Sequence, residues 1–297
     1  MLYPDFNELL QLRSKVTRSS LVSDQRVKSS QVGDHLSPFR GNGMEFEEVR
    51  QYVIGDDIRK IDWLVTARLG LPHIKVFKEE RQLNVTLCVD MNHTMRFGTR
   101  GTFKSVQAAR VAALLGWCAN VNNDSVGAYL FGDLPDGAEF FRPKSSRQSL
   151  WKMLKSLSDD SGAAGGEYVP ISSSIEFLHK ALQPGGLVFI ISDFMNIDDE
   201  FRQQLCYLTR RSQVIFISVN DPSDMEIPNA GNILFAENDS RKIHISTASK
   251  SGAEAYRKQW QENRSKLERI ASDLGIRSIN IRTNSDVFYD LFYGLKL

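Results

Sequence analysis

Apolar residues recur at regular intervals through most of the chain after residue 82. Leu and Val alternate with less apolar residues over 83–89, and this period of two predicts a strand. Continuous apolar runs predict buried strands at 126–131, 187–192 and 213–219, with further strands at 73–77, 139–142 and 276–281. Helical spacing predicts helices at 1–15, 104–121, 147–157, 174–182, 200–210, 253–274 and 286–295. Residues 233–236 and 242–245 are predicted to form a short edge hairpin.

The pattern divides the chain into two parts of different character. Residues 1–82 are predicted to form a short helix, an irregular arm at 17–43 and a small irregular module at 44–82. Residues 83–297 alternate strands with helices, and several strands are apolar on both faces. Such strands are typical of a doubly wound, mostly parallel α/β sheet covered by helices on both sides.

Composition narrows the function classes. Lys and Arg number 37 against 36 Asp and Glu, so the chain has no excess positive charge for binding nucleic acid or anionic lipid. Three widely spaced cysteines are typical of reduced thiols rather than of a disulfide framework. The sequence has no apolar run long enough to span a bilayer, and its first residues do not resemble a secretion signal. We therefore expect a cytoplasmic protein without a membrane span.

Two predicted strands end in aspartate. The first is followed by Asp90, Asn92 and Thr94, which present three oxygen-bearing side chains at alternate positions, and Asp193 follows the run at 187–192. Ligands of open α/β sheets bind beyond the carboxyl ends of the strands. Because oxygen ligands suit hard divalent cations, these residues predict a weak magnesium site. The alternative is that each aspartate caps the helix that follows it.

These residues resemble the metal-ion-dependent adhesion motif of von Willebrand factor A domains, Asp-x-Ser-x-Ser with a later Asp. Asn92 and Thr94 stand where that motif has serines, and Ser172 matches by spacing the family's further Thr ligand. The run from Val53 to Trp63, with Ala67-Arg68 and the segment around residues 75–98, is similar to the bacterial domain-of-unknown-function family 58. The resemblance implies a von Willebrand factor A-like fold.

The resemblance also implies a function. Members of the family are typically encoded beside MoxR-type AAA+ ATPases, which makes such an ATPase the expected partner, together with an unknown client protein whose maturation or assembly the pair would assist. The chain would then be a non-enzymatic interaction module. The alternatives are a metal-dependent phosphatase-like hydrolase using Asp90 as nucleophile, against which Asn92 lacks the proton of a general acid, and a metal-free scaffold.

The charged residues between Gly55 and Arg68 of the small module allow two interpretations. Their side chains form an ion-pair network with an aromatic residue packed against the sheet, or they form a docking face for the ATPase. The residues concerned are Asp56, Asp57, Arg59, Asp62, Trp63 and Arg68. Trp117, Trp151 and Trp260 lie at apolar positions of predicted helices and are expected to be packing residues.

Overall fold

The chain forms two compact units. The computed structural model describes residues 3–16, 44–79, 82–159, 168–226, 232–238, 241–246 and 250–296. The larger unit contains the described residues of 3–16 and 83–296, and the smaller unit contains those from 44 to 82. The predicted arm at 17–43 lies outside the described residues. The sequence grouped residues 1–16 with the small module, whereas the structure assigns them to the larger unit.

The secondary structure follows the predicted alternation of strands and helices. The helices are α1 Phe6–Gln11, α2 Trp63–Leu69, α3 Lys104–Val121, α4 Arg147–Ser158, α5 Ile171–Ala181, α6 Phe201–Thr209, α7 Pro222–Met225, α8 Lys250–Asp273 and α9 Val287–Lys296. The strands are β1 Met44–Gln51, β2 His73–Glu79, β3 Asn84–Met91, β4 Ser125–Gly132, β5 Ala138–Lys144, β6 Leu187–Ser192, β7 Gln213–Asn220, β8 Asn232–Asn238, β9 Arg241–Ser246 and β10 Arg277–Arg282. Short 3-10 helices occur at Leu12–Lys15, Ile58–Lys60 and His93–Met95.

The smaller unit is a two-stranded antiparallel sheet with a helical connection. β1 pairs with β2, and the segment between them carries the 3-10 helix Ile58–Lys60 and α2. α2 is followed by the capping residue Gly70, whose φ of 72° is the left-handed conformation that favours glycine at a helix C-terminus. β1 was not predicted, because Glu and Arg interrupt its apolar pattern.

The larger unit is built on a six-stranded sheet in the order β10-β7-β6-β3-β4-β5. The five strands from β10 to β4 pair in parallel, and β5 pairs with β4 in antiparallel fashion at the edge. β3 and β6 are neighbours from which the strand order runs outward in both directions, which is the switch point of a doubly wound sheet. The predicted fold class is confirmed.

Helices cover both faces of this sheet. One core contains apolar residues of α1, α3, α4 and α9, and the other contains residues of α5, α6 and α8. α3 is buried nearly all round, because it lies between the sheet and other helices. Its Trp117 is 1% exposed and donates a hydrogen bond to the carbonyl of Leu9 at 3.0 Å, which ties α1 to the larger unit.

Two expectations about peripheral elements need correction. β8 and β9 pair as predicted but form a separate two-stranded sheet, so they do not extend the edge of the main sheet. Trp151 is 43% exposed and lies beside the guanidinium of Arg147 instead of packing in the core. In the part of the chain that is described, no helix is both long and apolar enough to cross a membrane.

Candidate functional site

The carboxyl ends of β3 and β6 bring Asp90 and Asp193 together. The two strands pair in parallel, with Val89 opposite Ile191. The hydroxyl of Ser192, the last residue of β6, donates to Asp90 Oδ2 at 2.6 Å. Asp90 and Asp193 are 5% and 2% exposed. The prediction that both aspartates lie at adjacent strand ends is therefore confirmed.

Asn92 joins the loop after β3 to the loop before α5. Its amide Nδ2 donates to Asp90 Oδ1 at 2.9 Å and to the carbonyl of Val169 at 3.0 Å. Its Oδ1 accepts from the backbone N–H of Val169 at 3.0 Å. Asp90 Oδ1 also accepts from the backbone N–H of Asn92. The amide therefore uses both of its ends in hydrogen bonds within the protein.

The other two predicted metal ligands, Thr94 and Ser172, belong to the two segments that Asn92 joins. Thr94 is half-buried in the 3-10 helix that follows Asn92. Ser172 lies in the first turn of α5, and its hydroxyl donates to Asp198 Oδ2 at 2.5 Å. Asp198 also accepts from the backbone N–H of Phe201 at the start of α6. Ser172 therefore helps to connect α5 to α6.

A buried lysine lies between the acidic strand ends. Lys104 is the first residue of α3, and its Nζ lies 2.7 Å from Asp193 Oδ2 and 3.4 Å from Asp224 Oδ1. Asp224 belongs to the short helix α7, which follows β7. Burial lowers the pKa of Lys104, but the charges of Asp193 and Asp224 outweigh it and raise that pKa above its ordinary value. The side chain is therefore a charged ammonium.

Asp221 is a third acidic residue at a strand end. It follows β7 and accepts from the Thr99 N–H at 2.9 Å, the Thr99 hydroxyl at 2.5 Å and the Thr283 hydroxyl at 2.6 Å. It also caps α7 through the N–H of Ser223. Burial raises the pKa of Asp221, but these hydrogen bonds together lower it by more. The net pKa lies below its ordinary value, so the carboxylate is ionised. We call Asp90, Lys104, Asp193, Asp221 and Asp224 the strand-end cluster.

Arginines add positive charge around this cluster. Arg264 of α8 donates to Ser218 Oγ and Asn220 Oδ1 at the end of β7, and its guanidinium lies over the Trp260 ring. Arg96 pairs with Asp133, which follows β4, at 3.0 Å. The acidic strand ends thus face cationic side chains of the same protein.

The environment of Asp90 is unfavourable to its charge. Burial and the neighbouring Asp193 raise the pKa of Asp90, while hydrogen bonds from Ser192 and Asn92 lower it. The raising effects are larger, and the pKa is about 7. Both carboxyl oxygens accept hydrogen bonds from within the protein. A nucleophilic carboxylate needs an accessible, ionised oxygen, whereas the Asp90 carboxyl is buried and only partly ionised at neutral pH.

The donor atoms do not fit a divalent cation as they are arranged. Magnesium requires near-octahedral oxygen ligands at about 2.1 Å. Asp193 accepts from the Lys104 ammonium and from the Met195 N–H, while Asn92 and Ser172 are bound to Val169 and Asp198. Among the described residues, no group of three or more His, Cys, Asp or Glu is arranged to hold a metal ion. The magnesium site stays a prediction.

The charged run of the smaller unit shows a different arrangement from the proposed network. Asp56 pairs with Arg50 of β1 through two hydrogen bonds of 2.7 and 2.8 Å. Asp57 accepts from the N–H of Arg59 and caps the 3-10 helix, while Asp62 caps α2 through two N–H groups. Two of the acidic residues therefore start helices.

The aromatic residue of this run is exposed. Trp63 is 68% exposed. Arg59 and Arg68 are exposed as well. The choice between an ion-pair network and a docking face for this run stays a prediction.

Sequence reasoning missed several residues of the strand-end cluster. Asp221 follows the apolar run at 213–219 with only Asn220 between them, which is nearly the same signal that identified Asp90 and Asp193. Lys104 and Asp224 carry no such signal, because their roles depend on contacts between distant parts of the chain. Lys104 contacts Asp224, which lies 120 residues further along, and Asp193, which lies 89 residues further along. Arg264 is one of many charges on α8, and its partial burial depends on the packing of that helix.

Comparison with known proteins supports the resemblance seen in the sequence. The model of the family described as "Protein of unknown function DUF58" matches residues 48–266. An uncharacterized protein of Mycobacterium tuberculosis is 28% identical over 273 residues, which cover 91% of this chain and 84% of the relative. The conserved hypothetical protein BatB from Bacteroides thetaiotaomicron is 16% identical, with a TM-score of 0.45, covering 72% of this chain and 96% of that chain. A von Willebrand factor type A protein from Catenulispora acidiphila is 9% identical, with a TM-score of 0.41, covering 75% and 43%.

Proposed function

This chain belongs to the DUF58 family, and from that premise we propose that it is a non-enzymatic protein-interaction module whose smaller unit docks a partner protein. The observation that carries the proposal is the exposure of large apolar side chains in a short stretch of that unit. Seven of them between residues 53 and 71 are more than half exposed, namely Val53, Ile54, Ile58, Trp63, Leu64, Leu69 and Leu71. We call these seven the apolar docking set.

The apolar docking set differs in residue type from the exposed large side chains of the larger unit. Ile54 is 97% exposed, Leu64 76% and Trp63 68%. In the larger unit, most exposed large side chains are aromatic and most of these are tyrosines, whose hydroxyls suit contact with water. Groups of exposed aliphatic and Trp side chains mark protein contact sites, because water contact with such surface is unfavourable.

The local structure holds this set in place. Asp62 caps α2 through the N–H groups of Leu64 and Val65, which fixes the start of the helix at Trp63. The Arg50–Asp56 pair and the Val53 N–H bond to Asp56 hold the turn that presents Ile54. The surface is therefore preorganised, which lowers the entropy cost of binding.

We propose a MoxR-type AAA+ ATPase as the partner, and maturation or assembly of a client protein as the joint task. This choice follows from the family resemblance, since members are typically encoded beside such ATPases. A hydrolase is the weaker candidate, because Asp90 is buried and both its oxygens accept hydrogen bonds.

Calorimetric titration of the purified ATPase into this chain tests the proposal. Trp63→Ser and Ile54→Ser should each weaken binding at least tenfold, because central Trp and large aliphatic contacts contribute about 2 kcal/mol or more. Trp151→Ser is the matched control, since Trp151 is 43% exposed in the larger unit. It should bind like the wild type. Equal affinity of all four proteins would exclude the docking set, and no binding of the wild type would exclude this ATPase as partner.

A further inference from the structure

The strand-end cluster contains a cation that belongs to the protein itself. The Lys104 side chain is 3% exposed, and the carboxylates it contacts, Asp193 and Asp224, are 3% and 6% exposed. The ammonium also lies 5.7 Å from the centre of the Phe97 ring, within the range of a cation–π contact. Lys104 is thus surrounded by groups that stabilise positive charge.

The position of Lys104 in its helix is otherwise unfavourable. It is the first residue of the 18-residue helix α3, and the positive end of a helix dipole disfavours a cation there. Burial of an ammonium away from water is a second cost. Because both effects oppose a lysine here, the two aspartates must account for its charge and its burial.

The same contacts remove the oxygens that a metal would need. Asp193 Oδ2 accepts from the Lys104 ammonium and its Oδ1 accepts from the Met195 N–H. A divalent ion bound to this carboxylate would lie close to the ammonium and be repelled by it. The amide of Asn92, where the adhesion motif has a serine, is held by Asp90 and Val169.

We propose that the Lys104 ammonium is the resident cation of the strand-end cluster, and that the cluster keeps its structure without a divalent metal. Lys104 links three segments that are distant in sequence: the start of α3, the end of β6 and α7 after β7. In a von Willebrand factor A-like site, a metal would make such links between loops. Here the link is an ion pair within the chain, so the position of these loops does not depend on magnesium concentration.

The first experiment uses manganese as the probe on the full-length wild-type protein. Electron paramagnetic resonance reports free manganese, and the signal should be unchanged by the protein at millimolar metal. The midpoint of thermal unfolding should be equal in magnesium and in a chelator. Stoichiometric manganese binding that is lost in Asp193→Asn would overturn the proposal. This measurement needs no Lys104 variant, so it decides even where such a variant fails to fold.

The second experiment removes the ammonium. Lys104→Met keeps the length of the side chain but leaves the negative charge of Asp193 and Asp224 without its cation. It should lower the unfolding midpoint by several times more than Lys180→Met, which removes an exposed i,i+4 pair with Glu176. Adding Asp193→Asn to Lys104→Met should restore part of the loss, because one uncompensated carboxylate is removed. Equal midpoints for Lys104→Met and Lys180→Met would show that the buried ammonium does not hold the cluster.

Discussion

Replacing Asn92 by alanine tests whether its amide holds the two loops of the site together. Asn92 is 2% exposed, and its side chain makes three hydrogen bonds, one with Asp90 and two with the backbone of Val169. Alanine removes all three and leaves the backbone bond from the Asn92 N–H to Asp90. The loop that contains Val169 should then separate from the loop after β3.

The expected loss of stability follows from these contacts. Asp90 Oδ1 loses one of its two donors in a buried site, which costs about 1–3 kcal/mol. The N–H and carbonyl of Val169 are only half-buried and can bind water, so each loses about 0.5–1 kcal/mol. Together these give about 3 kcal/mol in the free energy of unfolding.

Urea denaturation followed by circular dichroism measures this difference directly. Asn120→Ala is the control, since the Asn120 amide makes one hydrogen bond of 3.5 Å in an exposed position. It should change the free energy of unfolding by less than about 0.5 kcal/mol. A loss below about 1 kcal/mol in Asn92→Ala, with unchanged dependence on urea, would refute the view that the amide joins the loops.

Three further predictions concern the site. Asp90 has its folded-state pKa raised to about 7, so the folded protein binds the extra proton between pH 4 and pH 7, and stability falls as pH rises through that window. Asp90→Asn should remove most of this fall in a pH series of unfolding midpoints; an identical pH profile would contradict it. Gly132→Ala should lower the free energy of unfolding by about 2 kcal/mol or more, because Gly132 has a φ of +124° and a Cβ there would lie 2.4 Å from the Asn92 backbone nitrogen. Gly185 also has a positive φ, but a Cβ there would meet nothing within 4 Å. Gly185→Ala therefore measures the backbone strain alone, without the steric clash. With magnesium present, the wild-type protein should hydrolyse a generic phosphoester no faster than the Asp90→Ala variant does. A clearly faster wild-type rate would favour the hydrolase.

The main sheet could be predicted from the sequence because its strands carry a strong local signal. β6 is buried on both faces and its apolar run ends directly at Asp193. The parallel arrangement followed from the intervening helices, and parallel strands bring their carboxyl ends to one edge. Fold class and the proximity of Asp90 to Asp193 therefore depended on patterns within single segments.

The ionic partners could not be predicted in the same way. A lysine at the start of a helix is ordinarily a solvated residue, and the burial of Lys104 results from the packing of α3 between the sheet and other helices. The local roles of the charges in the small module could not be predicted either. Asp57 and Asp62 precede helices, so their pattern fits capping as well as ion pairing. Only the structure distinguishes these roles.

Site-specific photocrosslinking is the most direct test of the interaction proposed for this protein. A photoreactive phenylalanine analogue replaces Trp63 in one protein and Trp151 in another, and each is irradiated with the MoxR-type ATPase. We expect a crosslinked product at position 63 that is lost when Ile54→Ser is added, and no product at position 151. Crosslinking at position 151 without any at position 63 would contradict the assignment of the smaller unit as the docking surface.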